Sequence, residues 1–500
     1  MMKRLAYIIA TLLICTLWAC DSYDTWTVNP DARLSFSSDT ISFDTIISNV
    51  GSSTRRLLVF NKNSAGIRIS DVRLKHGSDS HFRVNVDGQF LWQGTGQDFE
   101  VHRRDSMFVL VEVKLPDTDT DTITTYTDSL AFQLESGEVQ YVTLLAGGRD
   151  AYHWYGTVEI SRDMTIQAGR PVVIYDSLYV AKGATLTLAA GAELMFHQKA
   201  VMRVDGSLLV NGTAESPVVM RGDRTDNLFS YLPYDNTPEQ WGGLYLNGGS
   251  HKLEYLDLHA SKFGIKAEDC NIQMNNCILR NSRGNGLSTR NCTLTAVNTE
   301  ISNSMGDLYS MTGGSTDMIH CTLAQYYNYD AQRGMALRLS DFAYEYGDTM
   351  YYQLRKAWFR NCVIAGYDQD VLMGSFIGEQ KYGHELDYLF SHCYMCTDSL
   401  QQRDDDKRFV ENIFEHPDSV SGGSNYILFD TYARRYDFTP DTLSRIRGKA
   451  DVTLSSQYPL DRLGHSRMSD DGPDVGAYQL VMPAKPGQVS WRRGKANIRR

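Results

Sequence analysis

Between Leu253 and Gln325, short runs of alternating apolar and polar residues return every twenty-two positions. Cys270 falls over Cys292, Ile272 over Leu294, and Gly264-Ile265 over Gly286-Leu287. Cys277, Thr299 and Cys321 align as well, and so do Leu279, Ile301 and Leu323. Alternation over four or five residues is the grammar of a half-buried strand, and Gly or Asn marks the bends between such runs. A repeat this short cannot bury its apolar face alone and must stack on its neighbours. Three short strands and three turns per repeat predict a parallel β-helix whose coils rise by about 4.8 Å. Asn276 and Asn298, with His320 in line, and Asn281 with Asn303, fall at the bends. Asn tolerates the left-handed backbone of a tight corner, and stacked amides hydrogen-bond along the column.

Residues 33–150 follow a different pattern. Leu34–Phe36, Thr40–Phe43, Arg56–Phe60, Ile67–Leu74, His81–Val86, Met107–Val113 and Tyr141–Leu145 read as seven alternating strands separated by turn residues, which predicts an immunoglobulin-like sandwich. The chain is thus expected to be all-β: a small sandwich at 33–150, then a β-helix over 151–480. Within the sandwich, Asp117, Asp119 and Asp121 sit at alternate positions and share one face of an extended strand. Calcium is the cation such a face suits, but the Gly and distal Glu of an EF-hand loop are missing, so a solvated hairpin loop is expected and no cofactor is implied.

The ends change the picture. Lys3 and Arg4, the apolar run Leu5–Leu17 and the sequence Leu17-Trp18-Ala19-Cys20 form a secretion signal over 1–20 ending in a lipobox, followed by a tether over 21–32. Acylation of Cys20 would anchor the mature chain to a membrane by lipid. Residues 481–500 carry six basic side chains and no acidic ones, a basic flexible tail. A net charge of −11 without an internal basic patch argues against nucleic acid. Two of the nine cysteines lie in the signal; the other seven, including the lone Cys393-Tyr-Met-Cys396 pair, are expected as buried thiols rather than disulfides or metal ligands.

Several stretches break the repeat. Residues 221–240 must project as a loop, whose Arg221-Gly222-Asp223 is taken as a chance tripeptide. Insertions follow at 326–358, 367–388 and 397–430. In solenoids such insertions gather on one face, often the binding face. The first holds the candidate glycan-binding residues Tyr326, Tyr327, Tyr329, Tyr344, Tyr346, Tyr351, Tyr352 and Trp358, because aromatic faces stack on sugar rings. Half-buried tyrosines that merely cover the coils are the plain alternative. Asp404–Asp406 reads as a solvated charge run, and Lys266, Arg280, Arg283 and Arg290 do not stack on one face.

The segments Leu178–Leu186, Gly191–Phe196, Gly206–Thr213, Gln240–Leu244 and Gly313–Thr322, with the closing Tyr436–Phe438 and Asp470–Tyr478, resemble the right-handed parallel β-helix lipoproteins of Bacteroidetes that carry an N-terminal immunoglobulin-like domain. The resemblance covers roughly residues 150–480. It implies a cell-envelope location at the outer membrane, with the periplasmic or surface face left open. Asp-Ser/Thr-aliphatic triplets such as Asp39–Ile41 and Asp398–Leu400 are similar to the O-glycosylation acceptors of exported proteins in that phylum. Neither the Lys or Arg base of a lyase nor the converging carboxylates of a glycosidase is visible. The leading expectation is a non-catalytic lipoprotein presenting its β-helix to a polysaccharide or an envelope protein. The alternatives are a polysaccharide lyase or glycosidase acting on an acidic polysaccharide, and a purely structural or assembly protein.

Overall fold

The computed structural model describes residues 25–229, 231–368, 370–397, 407–415, 425–468 and 471–482. The chain divides into two compact units, 1–150 and 151–500. The signal with Cys20, the triplet Asp398–Leu400, the charge run Asp404–Asp406 and most of the basic tail lie outside the described residues.

The first unit is a sandwich of two five-stranded sheets. Inward residues alternate as expected; along Ser106–Val113, Met107, Val109, Val111 and Val113 are buried. Among the described residues it holds ten strands rather than seven. Gln89–Phe90, Thr95–Val101 and Thr124–Leu134 escaped the pattern because polar residues such as Gln97, Asp98 and Asp128 interrupt their alternation. Just before the last of these, the Asp117–Thr122 loop is fixed by Asp150. Its buried carboxylate accepts the Thr120 amide at 2.7 Å and the Thr118 amide at 3.1 Å.

The second unit is a parallel β-helix with three sheets, here the first, second and third, of eleven, nine and ten strands. The repeat read from the sequence is the coil register: Ile265 pairs over Leu287, Ile272 over Leu294, and Leu279 over Ile301. One inward ladder of the second sheet runs unbroken through Leu178, Met202, Leu244, Ile265, Leu287, Tyr309 and Leu337. Tyr309 is tolerated there because its hydroxyl hydrogen-bonds with Thr316 at 2.6 Å and Thr289 at 3.0 Å.

The corner entering the first sheet is left-handed in seven successive coils, at Tyr255, Asn276, Asn298, His320, Asn361, His392 and Glu411, with φ between 48° and 58°. Asn298 Nδ2 donates to Asn276 Oδ1 at 3.1 Å, one coil below. Beside this column, Cys277, Cys321, Cys362 and Cys393 each direct a thiol at a carbonyl of the preceding coil, at 3.3–3.5 Å. All seven described cysteines are buried, and no disulfide joins them.

Among the described residues, the last parallel strand is Ile413–Glu415. Residues 425–468 and 471–482 do not form coils; they fold back along the outside of the first sheet. The outward residues explain why. Ala324, Val363 and Ala365 would leave an apolar strip in water, and Phe438, Ile446, Val475 and Tyr478 of this closing segment cover them. Arg467 locks the segment in place, fully buried, donating to Asn298 Oδ1 at 2.8 Å and to the Gly476 carbonyl at 3.0 Å. Burial lowers its pKa to about 10, so it stays charged at neutral pH. His320 Nε2 lies 2.9 Å from Ser455 Oγ in the short helix Val452–Gln457, which Asp451 caps through the Thr453 amide.

Removing the Arg467 head leaves Asn298 and two carbonyls without their buried donor. Arg467→Leu is therefore expected to cost about 3 kcal/mol, read as a lowered urea midpoint. Limited proteolysis should then release the closing segment before the coils are cut. A midpoint equal to that of the unsubstituted chain would refute this account of Arg467.

Candidate functional site

The outer surface of the first sheet changes character along its length. Where the closing segment lies flat, the outward residues are apolar. Three, two and one coils earlier they are Asp257 and His259, then Ile278 and Arg280, then Glu300 and Ser302. Over this polar part the closing segment lifts away. Its hairpin, Tyr426–Asp430 with Arg435–Pro440, forms one wall of a cleft of about 370 Å³. Asn236 of the projecting loop, Arg462 and Tyr478 complete it.

Arginine dominates the lining. Arg280, Arg434, Arg435 and Arg462 face the cleft against two carboxylates, Glu300 and Asp437. Arg280 is held by Asn236 Oδ1 at 3.2 Å. Arg434 lies 3.5 Å over the Tyr329 ring and donates to Asn328 Oδ1 at 3.1 Å. Two buried polar atoms of the lining find no partner among the described residues: the donor Arg462 Nε and the acceptor Asn303 Oδ1. Buried polar groups are almost always satisfied, so an unmatched donor and acceptor in one cleft mark where a ligand makes hydrogen bonds.

The acidic groups around the cleft are already engaged. His259 is sandwiched, with Nδ1 2.9 Å from Asp257 Oδ1 and Nε2 3.3 Å from Asp235 Oδ1. Arg221 pairs with Asp235. Burial opposes ionisation of both carboxylates, but His259 and Arg280, joined at Asp235 by Arg221, outweigh it and hold both below the usual carboxylate range. They are charged and locked, which unsuits them for proton transfer. Glu300 is the opposite case. Burial pushes its carboxyl above the usual range, although Ser302 Oγ donates to it at 2.6 Å and the Tyr478 hydroxyl donates to its other oxygen. Glu300 thereby ties the closing segment to the coil.

The eight aromatic residues expected to form a glycan platform do not lie together. Tyr326 and Tyr327 are corrections, because both rings are buried. Tyr326 packs between Phe429 and Phe438 under the closing segment. Tyr329 lies beneath Arg434 at the edge of the cleft, its hydroxyl bonded to the Asn236 carbonyl. Tyr344 and Tyr346 project on the hairpin Phe342–Glu345/Asp348–Tyr351. Tyr351 hydrogen-bonds His384 at 2.6 Å, and Tyr352 donates to Glu345 at 2.9 Å. Trp358, on the third sheet, donates to Asp387 at 2.8 Å with Lys356 over its ring. Arg280 belongs to the first sheet, but Lys266 and Arg290 stand in adjacent coils on the outer face of the second, both paired with Glu268, so these two cations do share a face. Asp223 of the Arg-Gly-Asp tripeptide is buried and bound to His197 at 2.6 Å, so the tripeptide is not displayed.

Sequence reasoning missed Arg434, Arg435 and Arg462. A signal was present in Val363–Gly366, whose Val-Ile-Ala-Gly has no polar side chain and is buried at every position. A strand apolar on both faces announces that something covers its outer side. Among the described residues, no group of three or more His, Cys, Asp or Glu side chains is placed to hold a metal ion, and no helix is long and apolar enough to cross a membrane.

Because Glu300 is more easily protonated folded than unfolded, its contribution to stability is fully present below about pH 4.5 and declines as pH rises towards the elevated folded value. Glu300→Gln is expected to flatten that stretch of the stability–pH profile in thermal melts. An unchanged slope would contradict the assignment.

No family profile matches the chain, and no curated protein matches it. Among solved structures, it is similar to a protein of unknown function from Porphyromonas gingivalis W83, at 18% identity over 27% of this chain, with a TM-score of 0.17. The chain spans 58% of that protein's length. It is also similar to a family 123 glycoside hydrolase from Clostridium perfringens, at 8% identity over 25% of this chain and 30% of that one, with a TM-score of 0.17. A third likeness, to the catalytic domain of a GH87 alpha-1,3-glucanase in complex with tetrasaccharides, covers 73% of this chain and 80% of that one at 8% identity and a TM-score of 0.14. Likenesses of this size say nothing about activity, and the fold rests on the strand pairing described above.

Proposed function

We propose that this chain is a cell-envelope lipoprotein, tethered through Cys20, whose β-helix binds an acidic glycan in the arginine cleft without cleaving it. The observation that carries this reading is the convergence of Arg280, Arg434, Arg435 and Arg462 on one cleft, in a chain whose net charge is −11. Four guanidinium groups gathered on an acidic protein are a local exception, and planar guanidinium forks match carboxylates and sulfates. The lipobox, and the resemblance to β-helix lipoproteins of Bacteroidetes, support the envelope location. The locked state of Asp235 and Asp257 supports binding over catalysis.

Arg462→Ala should weaken polygalacturonate binding by tenfold or more in titration calorimetry, since a hydrogen bond to a charged group contributes about 1.5–3 kcal/mol. Affinity of the unsubstituted chain should also fall between about 0.1 M and about 1 M salt, where the Debye length shrinks from ~10 to ~3 Å. Affinity indifferent to both changes would remove the polyanion reading.

Hydrolysis of the bound polymer is a second reading with one observation of its own. Glu300 has the raised carboxyl that a general acid needs, and Asp437 lines the same cleft. New reducing ends from polygalacturonate, lost in Glu300→Gln, would establish it. Binding without product would leave Glu300 as the tie to Tyr478.

A further inference from the structure

The two loops that frame the cleft meet again at their outer ends. One carries the strands Asn227–Phe229 and Leu232–Pro233 and runs on to Asn236; the other is the tip of the closing hairpin between Asp430 and Arg435. Asn236 Nδ2 donates to the Arg434 carbonyl at 3.3 Å and ties them together. Beyond this tie, the Tyr231 ring stacks on Tyr432, with centroids 4.9 Å apart and planes 28° apart. It also stacks on Phe229, at 5.8 Å and 14°.

The row is in water. Phe229 is 54% exposed, Tyr231 38% and Tyr432 72%. The tip that holds Tyr432 is set by its backbone: Asp430 Oδ1 accepts the amides of Tyr432 at 3.0 Å and Ala433 at 2.9 Å, and Arg434 has φ of 53°. A left-handed non-glycine residue is costly and persists only where the surroundings enforce it. Here it turns Arg434 inward over Tyr329 while Tyr432 stays outward.

We propose that the Phe229–Tyr231–Tyr432 row is a sugar-ring subsite continuous with the arginine cleft, so that the ligand is a pyranose polymer bearing carboxylates. It lays a C–H face on Tyr432 and directs its acid groups to Arg435 and Arg462. This rests on the reading of the cleft as a polyanion site. Electron-rich ring faces attract the positive C–H edges of a sugar, which a polyphosphate does not have. The three rings already stack on one another, which leaves no gap for a nucleic-acid base to enter. What stays open is the outer face of Tyr432, a platform the size of one pyranose ring.

The test uses the lipid-free chain from residue 21 onward, with three probes: polygalacturonate, inorganic polyphosphate and an oligothymidylate. Tyr432→Ala should weaken polygalacturonate binding roughly three- to tenfold, the range of an aromatic contact of about 0.5–1.5 kcal/mol. It should leave polyphosphate binding and the melting temperature unchanged, and Tyr432→Phe should retain full affinity. If Tyr432→Ala leaves polygalacturonate affinity intact while Arg462→Ala lowers it, the subsite is overturned and the polyanion reading stands. If neither substitution matters, the polyanion reading falls as well. Oligothymidylate binding that is lost in Tyr432→Ala to the same degree would assign the row to bases and overturn the sugar.

Discussion

The structure depends on the backbone being left-handed at the same corner of coil after coil from Tyr255 to Glu411. Seven successive coils turn into the first sheet through residues with φ near 50°, and most of them are Asn or His. Such a corner strains an ordinary side chain, but a polar one is compensated by bonding up and down the column. Once the corner is fixed, the inward ladders and the outward rows follow, because side chains alternate strictly along each short strand.

The same column sets where the closing segment docks. Asn298 bonds Asn276 below it and Arg467 beside it, while His320 and Asn361 meet Ser455. The segment covers the apolar coils and parts from the charged ones, and the cleft is the space left where it parts. Its chemistry is therefore shared between a rigid sheet, which supplies Arg280 and Glu300, and a returning chain, which supplies Arg434, Arg435 and Arg462.

How much of this was legible follows from distance along the chain. The coils were, because stacked positions twenty-two residues apart need the same character, as Cys270 over Cys292 and Leu279 over Ile301 show. The cleft was not. Arg280 and Arg462 come together only through the return of the closing segment, and no local pattern records that pairing. The tyrosines of 326–358 drew attention by their number, but number does not separate Tyr326, which fills a core, from Tyr346, which stands in water. The aromatic row went unseen for the same reason as the arginines: Phe229 and Tyr432 belong to opposite ends of the β-helix sequence.

The bond from Arg467 to Asn298 spans 169 residues. Coils that touch only their neighbours can be laid down one by one as the chain emerges, each stabilised by the one before. The closing segment can dock only when the middle coils that it lies on already stand. The cleft is thus acquired only after the coils that form its floor. Without the closing segment the coils are a stack with nothing to hold, so possession of the site certifies that the coils and the segment have both folded.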